Sequence, residues 1–273
     1  MAGSIFFDHL AVGVETWQDA YPRFAVELGG AWSHGGDAGG YAPYQLIYGH
    51  GMRLEFIAPT GGPGGFMRRF LDRNGPGPHH LTFKVPSLDD ALDRLEAEGI
   101  STLGGRNEAY WREAFLHPKQ AGMGTLIQLA ESREWELGGG FSSPPPPDFP
   151  EPATEPLDIA WIGLTVASLD TATMLFVDHL AGSIAAKGPG WRLLSWGVGH
   201  NLLVRQEDAA PGGRPLWAAP GLGVGHVVFG PPELVPDDLS DGGVPAVPMP
   251  HHPPTSLTVL RVGPDSGGGR AGE

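Results

Sequence analysis

The feature that most constrains this chain is a strand that occurs twice with a histidine near its start. In Gly75-Pro-Gly-Pro-His-His-Leu-Thr-Phe-Lys-Val85 a Gly/Pro turn stops and a β-branched and aromatic run begins on two histidines. Asp8-His9-Leu-Ala-Val-Gly-Val14 has the same design, so that His9 falls on His80 and Val14 on Val85. Each strand is followed by a helical pattern, Thr16 to Leu28 in the first case and Ser87 to Glu98 in the second. Three further strand-like runs follow each helix: about 31–33, 44–48 and 52–57, then 100–103, 114–117 and 125–130. Pro118 to Gly122 reads as the loop of a hairpin, and Phe66 to Asn74 as a short helix between the two units. The spacing therefore predicts an internal repeat of two β-α-β-β-β units.

The pattern returns beyond residue 157 in weaker form. Ile159 to Val166 is a strand, Ser168 to Leu180 an amphipathic helix, and Trp191 to Trp196 and Asn201 to Gln206 are further strands. Gly225 to Phe229 echoes the strand at His80, but prolines 231 and 236 interrupt the helix that should follow. Leu257 to Val262 is the last strand. The α+β class follows, with four units in two domains: residues 1–135, a Pro/Gly-rich linker over 136–156, a degenerate copy over 157–262, and a tail over 263–273.

In such a unit the first and fourth strands lie side by side in a curved sheet, and two units make an open barrel lined by alternate residues. The first strands offer His9 and His80. The fourth strands offer Glu55, in Arg53-Leu-Glu-Phe-Ile57, and Gln128, in Leu126-Ile-Gln-Leu129. One histidine at a strand start is ordinarily a solvated or hydrogen-bonded residue, and one Glu in an apolar strand ordinarily faces outward. Matched positions in two repeats argue instead for a divalent ion (Co, Ni, Mn, Zn or Fe) on two imidazoles, a carboxylate and an amide oxygen. With no cysteine in the chain, thiolate ligands and disulfides are excluded. His79 reads as an outward neighbour, His117 as a loop support and His251–His252 as surface; His34 and His50 sit in glycine-rich turns. In the second domain Trp161, Leu203 and Val259 take the places of the first His, the Glu and the Gln, and only His226 remains.

A net charge of −14 argues against nucleic acid or an anionic membrane as partner. With no signal pattern and no apolar run of spanning length, a cytoplasmic protein is the expectation. Either a monomer with tandem domains or a homodimer fits the repeat.

Asp8-His9-Leu-Ala-Val, Met52-Arg-Leu-Glu-Phe-Ile-Ala-Pro59, His79-His-Leu-Thr-Phe-Lys-Val85 and Phe115-Leu-His-Pro-Lys119 through Leu126-Ile-Gln-Leu129 together resemble the vicinal oxygen chelate superfamily. That superfamily includes glyoxalase I, bleomycin-resistance proteins and ring-cleaving dioxygenases. The first half is most similar to the methylmalonyl-CoA epimerases. The resemblance implies two glyoxalase-like open barrels, the second degenerate, with ligands at His9, Glu55, His80 and Gln128. It further implies an isomerase or lyase that moves a proton alpha to the carbonyl of a small substrate through a metal-bound enediolate. Glu55 and Gln128 then stand at the catalytic positions. The chain departs from the resemblance in having Glu55 where epimerases have Gln, and Gln128 where they have Glu. Glu55 then becomes the proton carrier, with Glu113 and Tyr48 in reserve. The alternatives are an iron-dependent ring-cleaving dioxygenase, a non-catalytic binding or resistance protein walled by Trp32, Tyr44 and Tyr48, and a scaffold.

Overall fold

The computed structural model describes residues 4–105, 107–108, 111–132, 143–207, 221–239, 246–249 and 255–263. His251, His252, the first part of the linker and nearly all of the tail lie outside the described residues.

Alternation of apolar and polar residues builds strands β1 (Phe6–Gly13), β2 (Ala31–Gly35), β3 (Tyr41–Ile47) and β4 (Arg53–Pro59), then β5 (Gly77–Lys84), β6 (Thr102–Leu103), β7 (Trp111–Leu116) and β8 (Leu126–Ser132). Among the described residues they form one eight-stranded sheet in the order β2-β3-β4-β1-β5-β8-β7-β6. The two first strands pair antiparallel at its centre, and each pairs parallel with the fourth strand of its own unit. The second half repeats this with β9 (Ile159–Val166), β10 (Ser183–Gly188), β11 (Trp191–Ser195), β12 (Asn201–Gln206), β13 (Gly223–Phe229), β14 (Ala246–Pro248) and β15 (Thr258–Val262). Their order is β10-β11-β12-β9-β13-β15-β14. Both sheets are mixed and open.

Helices α1 (Phe66–Asn74) and α2 (Leu88–Ala97) lie where the periodicity places them, and the Ser87 hydroxyl caps α2 by accepting from the Asp90 N–H. The pattern over 16–28 is not one α-helix. It is a 3-10 turn, Trp17–Asp19, followed by a π-helix, Tyr21–Glu27. Pro22 has no N–H to continue a ladder from the preceding turn, so the helix restarts at Tyr21. The equivalent segment of the second half also begins as a helix, α4 (Leu169–Thr173), and passes into a π-helix, Met174–His179. The predicted hairpin loop at 118–122 is a short helix, α3 (Pro118–Ala121), that ends at Gly122 with φ +68°. The Gly122 carbonyl accepts from the Ala167 N–H, which ties the two halves together.

One face of each sheet contributes to a common apolar core that holds Leu10, Phe56, Leu81, Ile162, Leu202 and Val227. Phe7 and Phe83 stack on each other and meet Trp196, while Phe83 also meets Phe176. The opposite face of each sheet is left as a separate cup. Residues 143–157 run as a strap along the first half. Trp32 donates to the Ser143 carbonyl, Phe149 packs edge-on against Tyr21 and Trp32, and Ala153 and Leu157 donate to the carbonyls of Val26 and Leu28. Among the described residues no helix is long and apolar enough to cross a membrane.

Candidate metal centre

Period-two alternation sets the lining of the first cup. On β1 and β5 the register pairs His9 with Thr82 and Ala11 with His80, and places Leu10 and Leu81 in the shared core. A bulge at Asp8 shifts the phase, so that Phe7 points to the core while His9 points to the cup. On β4, Glu55 lies beside Ala11, and on β8 Gln128 lies beside Thr82. Thus His9, Glu55, His80 and Gln128 share one face.

Three of the four converge. One nitrogen each of His9 and His80 and one oxygen of Glu55 lie within 4.8 Å of one another. Glu55 Oε2 is 3.6 Å from His9 Nε2 and 3.9 Å from His80 Nε2. The fourth lies beside them and is engaged by other partners. Gln128 Oε1 accepts from Thr82 Oγ1 at 2.6 Å, and its Nε2 donates to Glu113 Oε2 at 2.7 Å.

Each converging group is oriented from behind. The Asp8 carboxylate takes His9 Nδ1 at 2.7 Å and accepts from Arg53 Nη1 at 2.7 Å. Gln45 Nε2 donates to Glu55 Oε1 at 3.1 Å. His79 Nδ1 lies 2.7 Å from His80 Nδ1 and its ring packs on Phe70 of α1. His79 is therefore not an outward neighbour: the short contact with His80 and the cover of α1 turn it inward. A carboxylate or other polar partner behind each imidazole fixes its tautomer and aims the far nitrogen, the arrangement found around metal-ligating histidines.

The electrostatics divide the groups. Burial alone would raise the pKa of Glu55, but the charge and hydrogen bond of His9, then His80 and Gln45, bring it to about 2. Burial lowers the pKa of His9, yet Glu55 and Asp8 together raise it to about 9. His80 is held well below its ordinary value by burial and by its histidine neighbours, and burial brings His79 to about 4. Burial works against the charge on Asp8 too, but His9, Lys84 and Arg53 keep it well below the carboxylate range. His80 Nε2 is buried and has no hydrogen-bond partner. A neutral imidazole nitrogen left unmet among polar groups, next to an ionised carboxylate, is what a divalent ion would satisfy. The donor set fits such an ion.

Residues 8–115 match the family model of the Glyoxalase/Bleomycin resistance protein/Dioxygenase superfamily. That stretch, less than half of the chain, is similar to the superfamily. Among solved structures, methylmalonyl-CoA epimerase from Mycobacterium tuberculosis is similar at 27% identity and TM-score 0.44, covering 50% of this chain and 96% of its own. A hypothetical protein from Bacillus halodurans is similar at 23% and 0.44, covering 48% and 97%. Streptomyces coelicolor methylmalonyl-CoA epimerase is similar at 22% and 0.42, covering 48% and 99%. No curated protein matches the chain.

In the first half of the chain, several sequence-based assignments change. Tyr44 and Tyr48 face the shared core, where their hydroxyls donate to the carbonyls of Trp17 and Phe24, and Trp32 lies against the strap. They do not wall the cup, and Tyr48 cannot serve as a base there. His117 accepts from the Lys119 N–H at the start of the short helix it precedes. His50, with φ +57°, is 2.8 Å from Asp158 through Nδ1, at the junction of the halves. Thr82, Gln45, Asp8 and Arg53 were not singled out from sequence. Two of these were legible by period two: Thr82 follows His80 and Arg53 precedes Glu55 by two residues on their strands.

Proposed function

We propose that the first cup is the metal centre of an isomerase or lyase of the vicinal oxygen chelate type, held by His9, Glu55 and His80, with Gln128 beside them. The convergence of two buried histidines and the half-buried Glu55 around the unpartnered His80 Nε2 carries the reading. A divalent ion there supplies Lewis-acid polarisation of a carbonyl oxygen on a small substrate. The protein's own residues do the rest. Asp8 holds the His9 tautomer, Gln45 holds the Glu55 carboxylate, and α1, through Met67 packed with Ala11 and Ile57, closes one end of the cup against water. Glu55 is a poor proton carrier, because its carboxylate would be committed to the ion on one oxygen and already accepts from Gln45 on the other. Gln128 is neutral and moves no proton. We assign that work to Glu113, whose Oε2 accepts from Gln128 and from the Trp111 indole beside the cluster. The carboxylate has in effect shifted from β8 to its neighbour β7.

The test is metal content followed by solvent deuterium exchange into carbonyl substrates. About one divalent ion per wild-type chain, absent from His80→Ala, is expected; exchange should then fall in Glu113→Gln while the metal stays. A wild type that binds no metal after reconstitution would overturn the assignment.

A second reading rests on the same observation. Two histidines and one carboxylate, with the Gln128 amide engaged by Thr82 and Glu113, is the ligand set of non-haem iron oxygenases. Oxygen uptake that depends on Fe(II) and a catechol would favour it over proton transfer.

A further inference from the structure

We propose that the first cup selects carbonyl compounds bearing a second, distal carboxylate, and that Arg53 is the residue that binds it. This rests on the reading of His9, Glu55 and His80 as the centre at which the carbonyl end is held. Arg53 lies on the cup face: it pairs with His9 across β1 and with Ile47 across β3, whereas the next residue, Leu54, enters the shared core with Leu46. It stands two positions before Glu55, about 7 Å along the strand. Its position is fixed by the carboxylate that also fixes the cluster, since Asp8 takes Arg53 Nη1 on one oxygen and His9 Nδ1 on the other.

A guanidinium has five N–H donors in a planar fork. Asp8 engages Nη1, Nε is buried without a partner, and 27% of the side chain remains open to solvent. A cation so placed, rigid and only partly paired at the edge of a buried polar cluster, matches an incoming carboxylate. The neighbouring carboxylates of Asp8 and Glu55 disfavour a dianionic phosphoryl group at the same point. The spacing along β4 asks for a few bonds between the held carbonyl and the bound acid.

The experiment is calorimetric titration of the full chain loaded with Co²⁺. The ligands are oxaloacetate, 2-oxoglutarate and 2-oxoadipate, set against 2-oxopentanoate, which is 2-oxoglutarate with a methyl in place of the distal carboxylate. At least one diacid should bind about tenfold or more tightly than 2-oxopentanoate. Arg53→Met should bring that ratio close to one when both ligands are titrated into the Co²⁺-loaded variant, and Arg53→Lys should keep part of it. If Arg53→Met loses Co²⁺, the lysine variant alone decides, by a lowered ratio. Equal binding of diacid and monoacid by the wild type, a ratio untouched by either variant, or no binding to the Co²⁺-loaded chain would overturn the proposal and leave the metal centre standing. Failure of the wild type to take up Co²⁺ would overturn the metal reading, and this proposal with it.

Discussion

The two halves of the chain build the same sheet and fill its cup in opposite ways. Strand register sets Trp161 against His9, Gly163 against Ala11, Leu203 against Glu55, His226 against His80, Val228 against Thr82 and Leu260 against Gln128. Of the second-half residues, Trp161, Leu203, Val228 and Leu260 pack with Trp191, Leu193 and Leu234 into an apolar cluster. Trp161 is fully buried, and its indole N–H donates to His226 Nε2 at 3.2 Å. The nitrogen that stands unmet on His80 is thus satisfied on His226 by a side chain from the position of the other histidine. Gly163 allows this, because a Cβ there would collide with the His226 ring. The same topology serves once as a polar, partly open site and once as a second core. What differs is a handful of inward positions, not the backbone that presents them.

That contrast breaks most severely at Trp161. Trp161→Ala empties the second cup and leaves His226 unpaired, so a loss of about 3–5 kcal/mol is expected from denaturant unfolding. Its counterpart in the first half, His9→Ala, should abolish metal uptake. If Trp161→Ala proved neutral, the second cup would not be a core. A finer probe of the first cup is Asp8→Asn, which removes the charge behind His9 but keeps the shape. Metal affinity should fall about 10–100-fold in equilibrium titration, as for other partners standing behind a metal ligand. Unchanged affinity would mean that His9 is not a ligand.

Much of this contrast was legible in the sequence, because strand alternation and repeat spacing are local. His9, Glu55, His80 and Gln128 share a face since each occupies the same phase of its strand. The limits were equally physical. The place of Gln128 in the second half is taken by Leu260, not Val259: Val259 points to the shared core, and only the pairing of His226 with Thr258 fixes that phase. The bulge at Asp8, which joins His9 to Arg53, has no marker in the sequence. Nor does the inward turn of His79, which depends on α1 packing above it. The strap reads as a spacer because its contacts, Phe149 on Trp32 and Leu157 on Leu28, are made to residues more than a hundred positions away.

The pH response separates the halves next. Burial, followed by the charge of Arg205, lowers the pKa of His226 to about 3, whereas the unfolded residue titrates near 6.5. The unfolded chain therefore binds a proton that the folded chain refuses. The stability this group contributes is complete above pH 6.5 and is lost as pH falls towards 3, with a slope of at most about 1.4 kcal/mol per pH unit. His226→Gln keeps an acceptor for Trp161 but does not titrate. The difference in unfolding free energy between wild type and variant should therefore be flat above pH 7 and shift in favour of the variant below pH 6. A constant difference across that range would place His226 in contact with solvent.

The smallest effects ask whether the two halves unfold together. Ser87 caps α2 and Ser168 caps α4 in the same way, each hydroxyl accepting from the N–H three residues on. Ser87→Ala and Ser168→Ala should each cost about 1 kcal/mol. The common core, the aromatic contacts of Phe7 and Phe83 with Trp196, and the two bonds of His200 to the carbonyls of Phe7 and His50 join the halves through many short contacts. Both substitutions should therefore lower the midpoint of one shared transition by similar amounts, whether followed by circular dichroism or by tryptophan fluorescence. Two separable transitions, each moved by only one of the serine variants, would show that the filled cup stabilises its own half alone and does not brace the open one.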